Sequence, residues 1–290
     1  MSGKLARVDW QMGQTLLPEH FIAQEEALSQ EALLRSRLPG LPAYGVGPMR
    51  WNDSLLAEGV VSLQSATLVF PTGQLVDIPD NASASPVNLN VSGKAKVDVY
   101  LHCLDEEETV SEGDGDEAVA RRVNKVVLAT EQGLPDAIAT MKLAEFGKDP
   151  AGVWNLLPSY VPPLLQVGRS PFLQDTLGEL PGILEGFQYK LAMDSASYLS
   201  GASLFAVRQC LKSLYRLQRF LANLGREIHV HPYYALEILK EFYVEVCFYR
   251  DASPQDITAP YRHDQLAECF REVLDPLREQ MQLAEERSPY

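Results

Sequence analysis

No run of about 18 apolar residues, the length a helix needs to cross a bilayer, occurs in this sequence. The opening stretch MSGKLARVDW also lacks the apolar core of a secretory signal. Direct membrane insertion is therefore not expected, and the chain reads as cytoplasmic. The phosphate-binding patterns GxxxxGKS/T and GxGxxG, the nucleophile pattern GxSxG, the zinc pattern HExxH and any CxxC pair are absent. Cys103, Cys210, Cys247 and Cys269 stand alone, at no zinc-ligand spacing with a histidine, and suit a reducing compartment. No basic cluster is stronger than Arg121-Arg122 with Lys125. Phosphate backbones need one, so nucleic acid is not an expected partner.

What the chain does have is ordinary globular material. Its 290 residues are 46% hydrophobic and 22% charged, enough for one large domain or two ordinary ones. The 25 basic and 39 acidic residues give a net charge of −14.

The pattern changes texture at about Gly168. Before it the chain reads mostly as strands. Val60 to Phe70 and Gln74 to Ile78 flank the turn Pro71-Thr72-Gly73, a hairpin signal. Lys96 to His102 alternates with period two, and Val123 to Thr130 and Ala139 to Phe146 are further strand candidates. The run Asp105 to Glu117, eight of thirteen residues acidic, reads as a solvated loop. Around Asp114 and Asp116 it lacks the ligand order of a calcium loop. One helix, Pro18 to Leu38, precedes the strands and stops at Pro39-Gly40. Gly45-Val46-Gly47-Pro48 reads as a tight turn.

After Gly168 four amphipathic segments follow, joined by short connections. The first opens at Ser170-Pro171, as an N-cap and N1 proline, breaks or kinks at Pro181-Gly182 and runs towards Tyr198. The second carries Leu204, Val207, Leu211, Leu214, Gln218, Leu221 and Leu224, with Gly225 as its C′ residue. The third starts at His231-Pro232 and holds Ala235, Leu239, Phe242 and Val246 on one stripe. The fourth spans Asp264 to Glu285 through Leu266, Phe270, Val273, Leu277, Met281 and Ala284, with a kink expected at Pro276. The fold class is thus α+β: a β-rich domain over 1–168, then a four-helix bundle over 169–290.

The candidate chemistry is thin. His229 and His231 would share a face on a strand, as metal ligands can. His231, however, precedes a helix-starting proline and no third ligand is near. His263-Asp264 suggests a base with its acid, but sequence neighbours point apart and such pairs are assembled in space. Both histidine sets read as capping and packing. Tyr233, Tyr234, Phe242, Tyr243, Phe248 and Tyr249 crowd the third helix on more than one face, which hints at burial between chains.

Three stretches carry a resemblance. Trp10-Gln11-Met12-Gly13-Gln14-Thr15-Leu16-Leu17-Pro18-Glu19-His20-Phe21 is similar to the opening W-x-x-G-x-x-L-x-P-x-H-F motif of the TssK (ImpJ/VasE) family of type VI secretion baseplate subunits. Tyr160-Val161-Pro162-Pro163-Leu164, with Ser170-Pro171, resembles that family's linker into its bundle. His231-Pro232 and then Pro260-Tyr261-Arg262-His263-Asp264-Gln265-Leu266 with Phe270 resemble the entry to its last bundle helix. The Phe70-Pro71-Thr72-Gly73 hairpin falls between them in the right order. Met12 and Glu19 depart from the family's usual Glu and Gln.

The resemblance implies a β-sandwich-like shoulder of the siphophage receptor-binding type, a helical neck on a trimer axis, and docking of the N-terminal region on the wedge proteins TssF and TssG. The family's C-terminal head, which binds TssL and TssM, has no room before Tyr290, so those two are doubtful partners. The chain is then either a piece of a longer protein or a short family member.

The leading expectation is a non-enzymatic structural adaptor, a homotrimer without cofactor or metal. Wedge docking falls to Trp10, Gly13, Leu16, Leu17, Pro18, His20 and Phe21. The bundle and trimer core falls to Leu204, Val207, Leu211, Leu214, Leu221, Leu239, Phe242, Leu266, Phe270 and Leu277. The alternatives are a hydrolase or metal enzyme around His229, His231 and His263, and a phage-derived trimeric receptor-binding protein.

Overall fold

Alternation of small apolar and polar residues along 96–104 puts Val97, Val99, Leu101 and Cys103 on one face, and all four are buried. That face anchors a mixed α and β fold. The computed structural model describes residues 5–112, 119–197, 202–226 and 228–286. Asp114, Asp116, Glu117 and Tyr198 lie outside them, as does the side chain of Ala284. The chain forms two compact units, Met1–Ala43 and Tyr44–Tyr290. The change of texture near residue 168 falls inside the second.

The first unit holds α1 (Pro18–Arg37). Pro18 occupies its first turn, where a missing N–H is harmless. Arg35 and Arg37 sit in its last turn, opposite in sign to the carbonyl end of the helix dipole.

The second unit begins with β1 (Gly45–Trp51), α2 (Asp53–Ala57), β2 (Val60–Val61), β3 (Leu63–Val69), β4 (Leu75–Ile78), β5 (Ala82–Ser85) and β6 (Val87–Asn88). There follow β7 (Lys96–Glu112), β8 (Val119–Ala129), β9 (Ala137–Lys148) and β10 (Trp154–Leu156). The sheets run β1-β3-β4, β10-β9-β7-β8-β5 and β2-β6. The hairpin at Pro71-Thr72-Gly73 joins β3 to β4, pairing Val69 with Leu75. Gly73 takes φ 97 there, and its N–H donates to Phe70 O at 2.8 Å.

Two stretches differ from expectation. The acidic run is largely strand, because β7 continues to Glu112 and pairs with β8 from Val119. Glu108, Thr109 and Val110 lie opposite Val123, Arg122 and Arg121, and Lys125 Nζ meets Glu106 Oε2 at 2.8 Å. The acidic run and the Arg121-Arg122-Lys125 cluster are thus the two sides of one ladder, and the Lys125–Glu106 ion pair across it supports the pairing. Gly45 and Gly47 lie in β1 and form no tight turn. Val46 N–H donates to Pro163 O and Leu165 N–H to Val46 O, each at 2.8 Å, so the Pro162-Pro163 segment runs along β1 as a partner.

The helical portion comprises α3 (Gln174–Gly178), α4 (Leu180–Ser197), α5 (Ala202–Leu224), α6 (Pro232–Tyr249) and α7 (Leu266–Glu286). Ser170-Pro171 does not open a helix; α3 starts three residues later, after Leu173 at φ 61. The break falls at Glu179, which leaves Pro181 in the first turn of α4, a tolerated position. Pro276 lies inside α7, which continues past it.

The connection 250–265 is long, not short, and returns along α6. Gln255 N–H donates to Tyr243 Oη at 3.1 Å and Lys240 Nζ to Ala259 O at 3.0 Å. At the far end Tyr261 packs edge-on to Tyr233, with centroids 5.6 Å apart. α7 therefore begins beside the start of α6. Strands and helices share one buried cluster running from Val46 to Met281. Trp51 bridges them, edge-on to Phe146 at 5.7 Å and to Phe172 at 5.8 Å.

Candidate partner interfaces

In the first unit, Gly13 at φ 79 turns the chain so that Trp10 folds onto α1. Trp10 Nε1 donates to Gln24 Oε1 at 2.9 Å, and the indole packs against His20 at 5.9 Å and Phe21 at 5.7 Å. His20 Nδ1 accepts from Leu17 N–H at 3.3 Å and closes the start of the helix. The ring positions are therefore held, yet they stay in solvent: Trp10 is 41% and Phe21 55% exposed. Leu16, Leu17, Ile22, Leu28 and Leu34 are exposed too, while Ala27 is the buried residue of α1. Exposed apolar side chains grouped in this way are a candidate interaction site.

The second unit brings two of the three suspected histidines together. His231 and His263 stack nearly parallel, with centroids 5.2 Å and planes 13° apart. His263 Nε2 lies 2.8 Å from the Tyr44 carbonyl oxygen, which can only accept, so Nε2 carries the proton. Nδ1 then accepts from the Tyr261 hydroxyl at 2.7 Å. Burial pushes the His263 pKa down, against the opposing pull of the Tyr44 carbonyl and Asp264. Tyr44 donates to both Asp264 carboxylate oxygens at 3.0 Å; burial and that carboxylate raise its phenol to about 12. His229 stands apart, with Nδ1 donating to Val167 O at 3.0 Å. Gly168, at φ 96, leaves room for that ring, since a Cβ would sit 3.0 Å from Nδ1. Among the described residues no three His, Cys, Asp or Glu side chains converge as metal ligands.

Val207, Leu214, Leu239, Phe242, Leu266, Phe270 and Leu277 are buried. Leu204, Leu211 and Leu221 are half-buried, because α5 turns Cys210 and Leu217 inward beside Leu214. α6 is the most enclosed helix: Phe187 of α4 packs edge-on against its Phe242 at 6.2 Å and Tyr249 at 5.8 Å. Tyr234 and Phe248 remain exposed. Among the described residues no helix is long and apolar enough to cross a membrane.

Comparison with known proteins decides what these surfaces belong to. Residues 20–117 and 102–288 match the family of bacterial type VI secretion proteins that takes in EvfL, ImpJ and VasE. The chain belongs to the TssK family.

A TssK-family relative, the type VI secretion system baseplate component TssK1 of Pseudomonas aeruginosa, is 28% identical across 94% of this chain and 68% of its own length. A cryo-electron microscopy structure of a TssK–TssF–TssG baseplate subcomplex contains a chain similar to this one, with TM-score 0.75 and 22% identity over 96% of this chain and 99% of that one. A crystal structure of TssK gives TM-score 0.73 and 19% identity over 96% of this chain and 69% of the other. A structure of the type VI baseplate complex gives 0.76 and 20%, over 95% and 99%. At these identities the solved structures show a shared fold.

The sequence motifs do not mark one feature of the helical portion: residues 202–226 carry five basic residues and no acidic one, in a chain of net charge −14.

Proposed function

We propose that this TssK-family chain is a non-enzymatic structural component of a type VI secretion baseplate. In this reading it acts in the cytoplasm as a homotrimer. The exposed apolar surface of the first unit docks on wedge proteins of the TssF and TssG type, through Trp10, Leu16, Leu17 and Phe21. Gly13, Pro18 and His20 shape that surface: the glycine makes the turn, the proline starts α1 and the imidazole closes its first turn. The β portion to residue 168 serves as a sandwich-like shoulder, and the helices over 169–290 as a neck that sets distance and orientation and links the wedge towards the membrane complex.

One observation carries the proposal: a rigidly positioned yet solvent-exposed aromatic surface in a chain of TssK ancestry. Three weak docking contacts on one trimer reinforce one another, which suits a scaffold. The test is recovery of wedge proteins on the tagged chain, with wild type and the double variant Trp10→Asp/Phe21→Asp. The wild type should bring down TssF- and TssG-type proteins; the variant should keep its oligomeric state and lose them. Wedge proteins retained by the double variant would overturn the docking assignment.

A further inference from the structure

We propose that the groove between α5 and α6 is a docking site for an acidic, extended segment of a partner polypeptide, laid along the cations of α5. It is a second partner surface, built from none of the residues that dock the wedge in the reading above.

Charge along a helix face by itself marks only a side turned to water. α5 differs in two respects. The first is the sign of its charge. In a chain of net charge −14, it presents Arg208, Lys212, Arg216 and Arg219 at intervals of three and four residues, on one face. Arg208, Lys212 and Arg219 are exposed and make no ion pair among the described residues. Arg216 is held by Glu241 of α6, Nη1 to Oε1 at 2.6 Å, which fixes its guanidinium at the wall of the groove.

The second is a pair of unanswered polar groups. The groove, of about 540 Å³, is lined by Lys212, Ser213, Arg216 and Arg219 on α5 and by Glu241 and Glu245 on α6. Ser213 is 7% exposed, and its Oγ has no hydrogen-bond partner among the described residues. Glu245, half-buried on the other wall, has neither a hydrogen-bond nor an ionic partner among them. A polar group shielded from water and left unpaired is a standing cost. The groove therefore calls for an acceptor beside Ser213 and for a donor beside Glu245.

One kind of ligand supplies both. The carboxylates of an acidic peptide accept from Ser213 Oγ and pair with Lys212 and Arg219, while its backbone N–H groups donate to Glu245. A row of phosphates offers no such donor and is repelled by Glu241 and Glu245, so the opposite wall selects peptide over polyphosphate. The spacing agrees. Arg208 and Arg219 lie about 16 Å apart along the helix, a track of three turns. Alternate side chains of an extended peptide stand about 6.6 Å apart on one face. That is close to the pitch of a helical turn, so acidic residues at every second position meet successive cations.

The test is fluorescence anisotropy on the purified full chain, with light scattering and thermal melts on every variant. The probe is a capped, fluorescein-labelled peptide of alternating glutamate and serine. Wild type should bind it, should ignore the matching lysine–serine peptide, and should lose affinity as salt rises. Lys212→Glu should weaken binding at least tenfold. Arg226→Glu makes the same charge change outside the groove and should leave binding intact. Ser213→Ala should weaken binding severalfold without lowering the melting temperature, because the hydroxyl bonds to nothing within the described protein. Absence of binding by wild type overturns the site, and so does an equal loss in Lys212→Glu and Arg226→Glu, which would reduce it to net charge. Tighter binding of a labelled oligothymidylate overturns the choice of peptide. A change of oligomeric state in Lys212→Glu overturns the choice of an outside partner, since the face would then belong to another copy.

Discussion

Replacing Gly45 by alanine should destabilise the second unit strongly, because the added methyl would meet backbone atoms. Gly45 has φ +123, a region that L side chains rarely adopt. The new Cβ would sit 2.4 Å from Pro163 O and 3.0 Å from Leu164 N, both backbone atoms that cannot swing aside. The backbone strain alone costs about 1–3 kcal/mol. Relief of the clash must push the 163–165 segment off β1. That breaks the two 2.8 Å bonds between Val46 and Pro163 and Leu165, at about 1 kcal/mol each. The total is roughly 3–5 kcal/mol, of the order of a large core truncation. Gly152→Ala is the control, since Gly152 also has positive φ (+86) but nothing lies within 4 Å of its Cβ. It should cost only about 1–2 kcal/mol, the left-handed penalty without the clash. Urea unfolding followed by near-ultraviolet circular dichroism gives both values. Equal costs for the two substitutions would refute the argument that Pro163 closes β1.

Three further outcomes follow from the buried groups. Burial opposes ionisation of Glu145, but hydrogen bonds from Lys142, Lys96 and Ser159 outweigh it and hold its pKa at about 2. Its contribution is therefore present above about pH 4.5 and lost as pH falls towards 2, and Glu145→Gln should flatten the acid limb of the stability curve. His263, held neutral by burial, binds its proton more readily unfolded, so stability should fall as pH drops below about 6.5; an unchanged slope in His263→Gln would count against it. Cys103, Cys210, Cys247 and Cys269 are all buried, and burial raises the Cys210 thiol pKa, so thiol reagents should label them only at the rate of unfolding.

How much of this was legible in the sequence depended on whether a feature was local. The turn Pro71-Thr72-Gly73, the start of α6 at His231-Pro232 and α1 rest on residues within a few positions of one another, and each stands where its residues suggest. The composition of the acidic run suits a solvated loop, and it is strand because it pairs with β8 from Val119 to Asn124, with Lys125 held to Glu106. Gly45 looked like a turn glycine, whereas its conformation is imposed by Pro163, more than a hundred residues away. The path of 250–265 was equally hidden, since its course is set by contacts with Tyr233, Lys240 and Tyr243 that no local pattern encodes. On α5 the spacing of leucines gave the helix and its buried Val207 and Leu214, with Leu211 and Leu221 half-buried against the same core. Cys210 and Leu217 are apolar as well, and neighbouring helices decide which apolar row turns inward.

The histidines give the clearest view of how the polar interior is used. His20 accepts from Leu17 N–H, His231 from Tyr233 N–H, and His102, His229 and His263 each meet a backbone carbonyl, of Glu131, Val167 and Tyr44. All five rings therefore have one nitrogen bound to main chain. A general base needs a ring nitrogen facing its substrate and a second group orienting the other. His263 has both nitrogens engaged inside the protein, and Nε2 of His229 is buried with no partner among the described residues. The second of these imidazoles ties Val167 to the entry of the helices, and the first ties Tyr44, where the second unit begins, to the entry of α7. Rings placed at the crossing points of distant segments fix geometry, and fixed geometry is what a baseplate component of the TssK family has to supply.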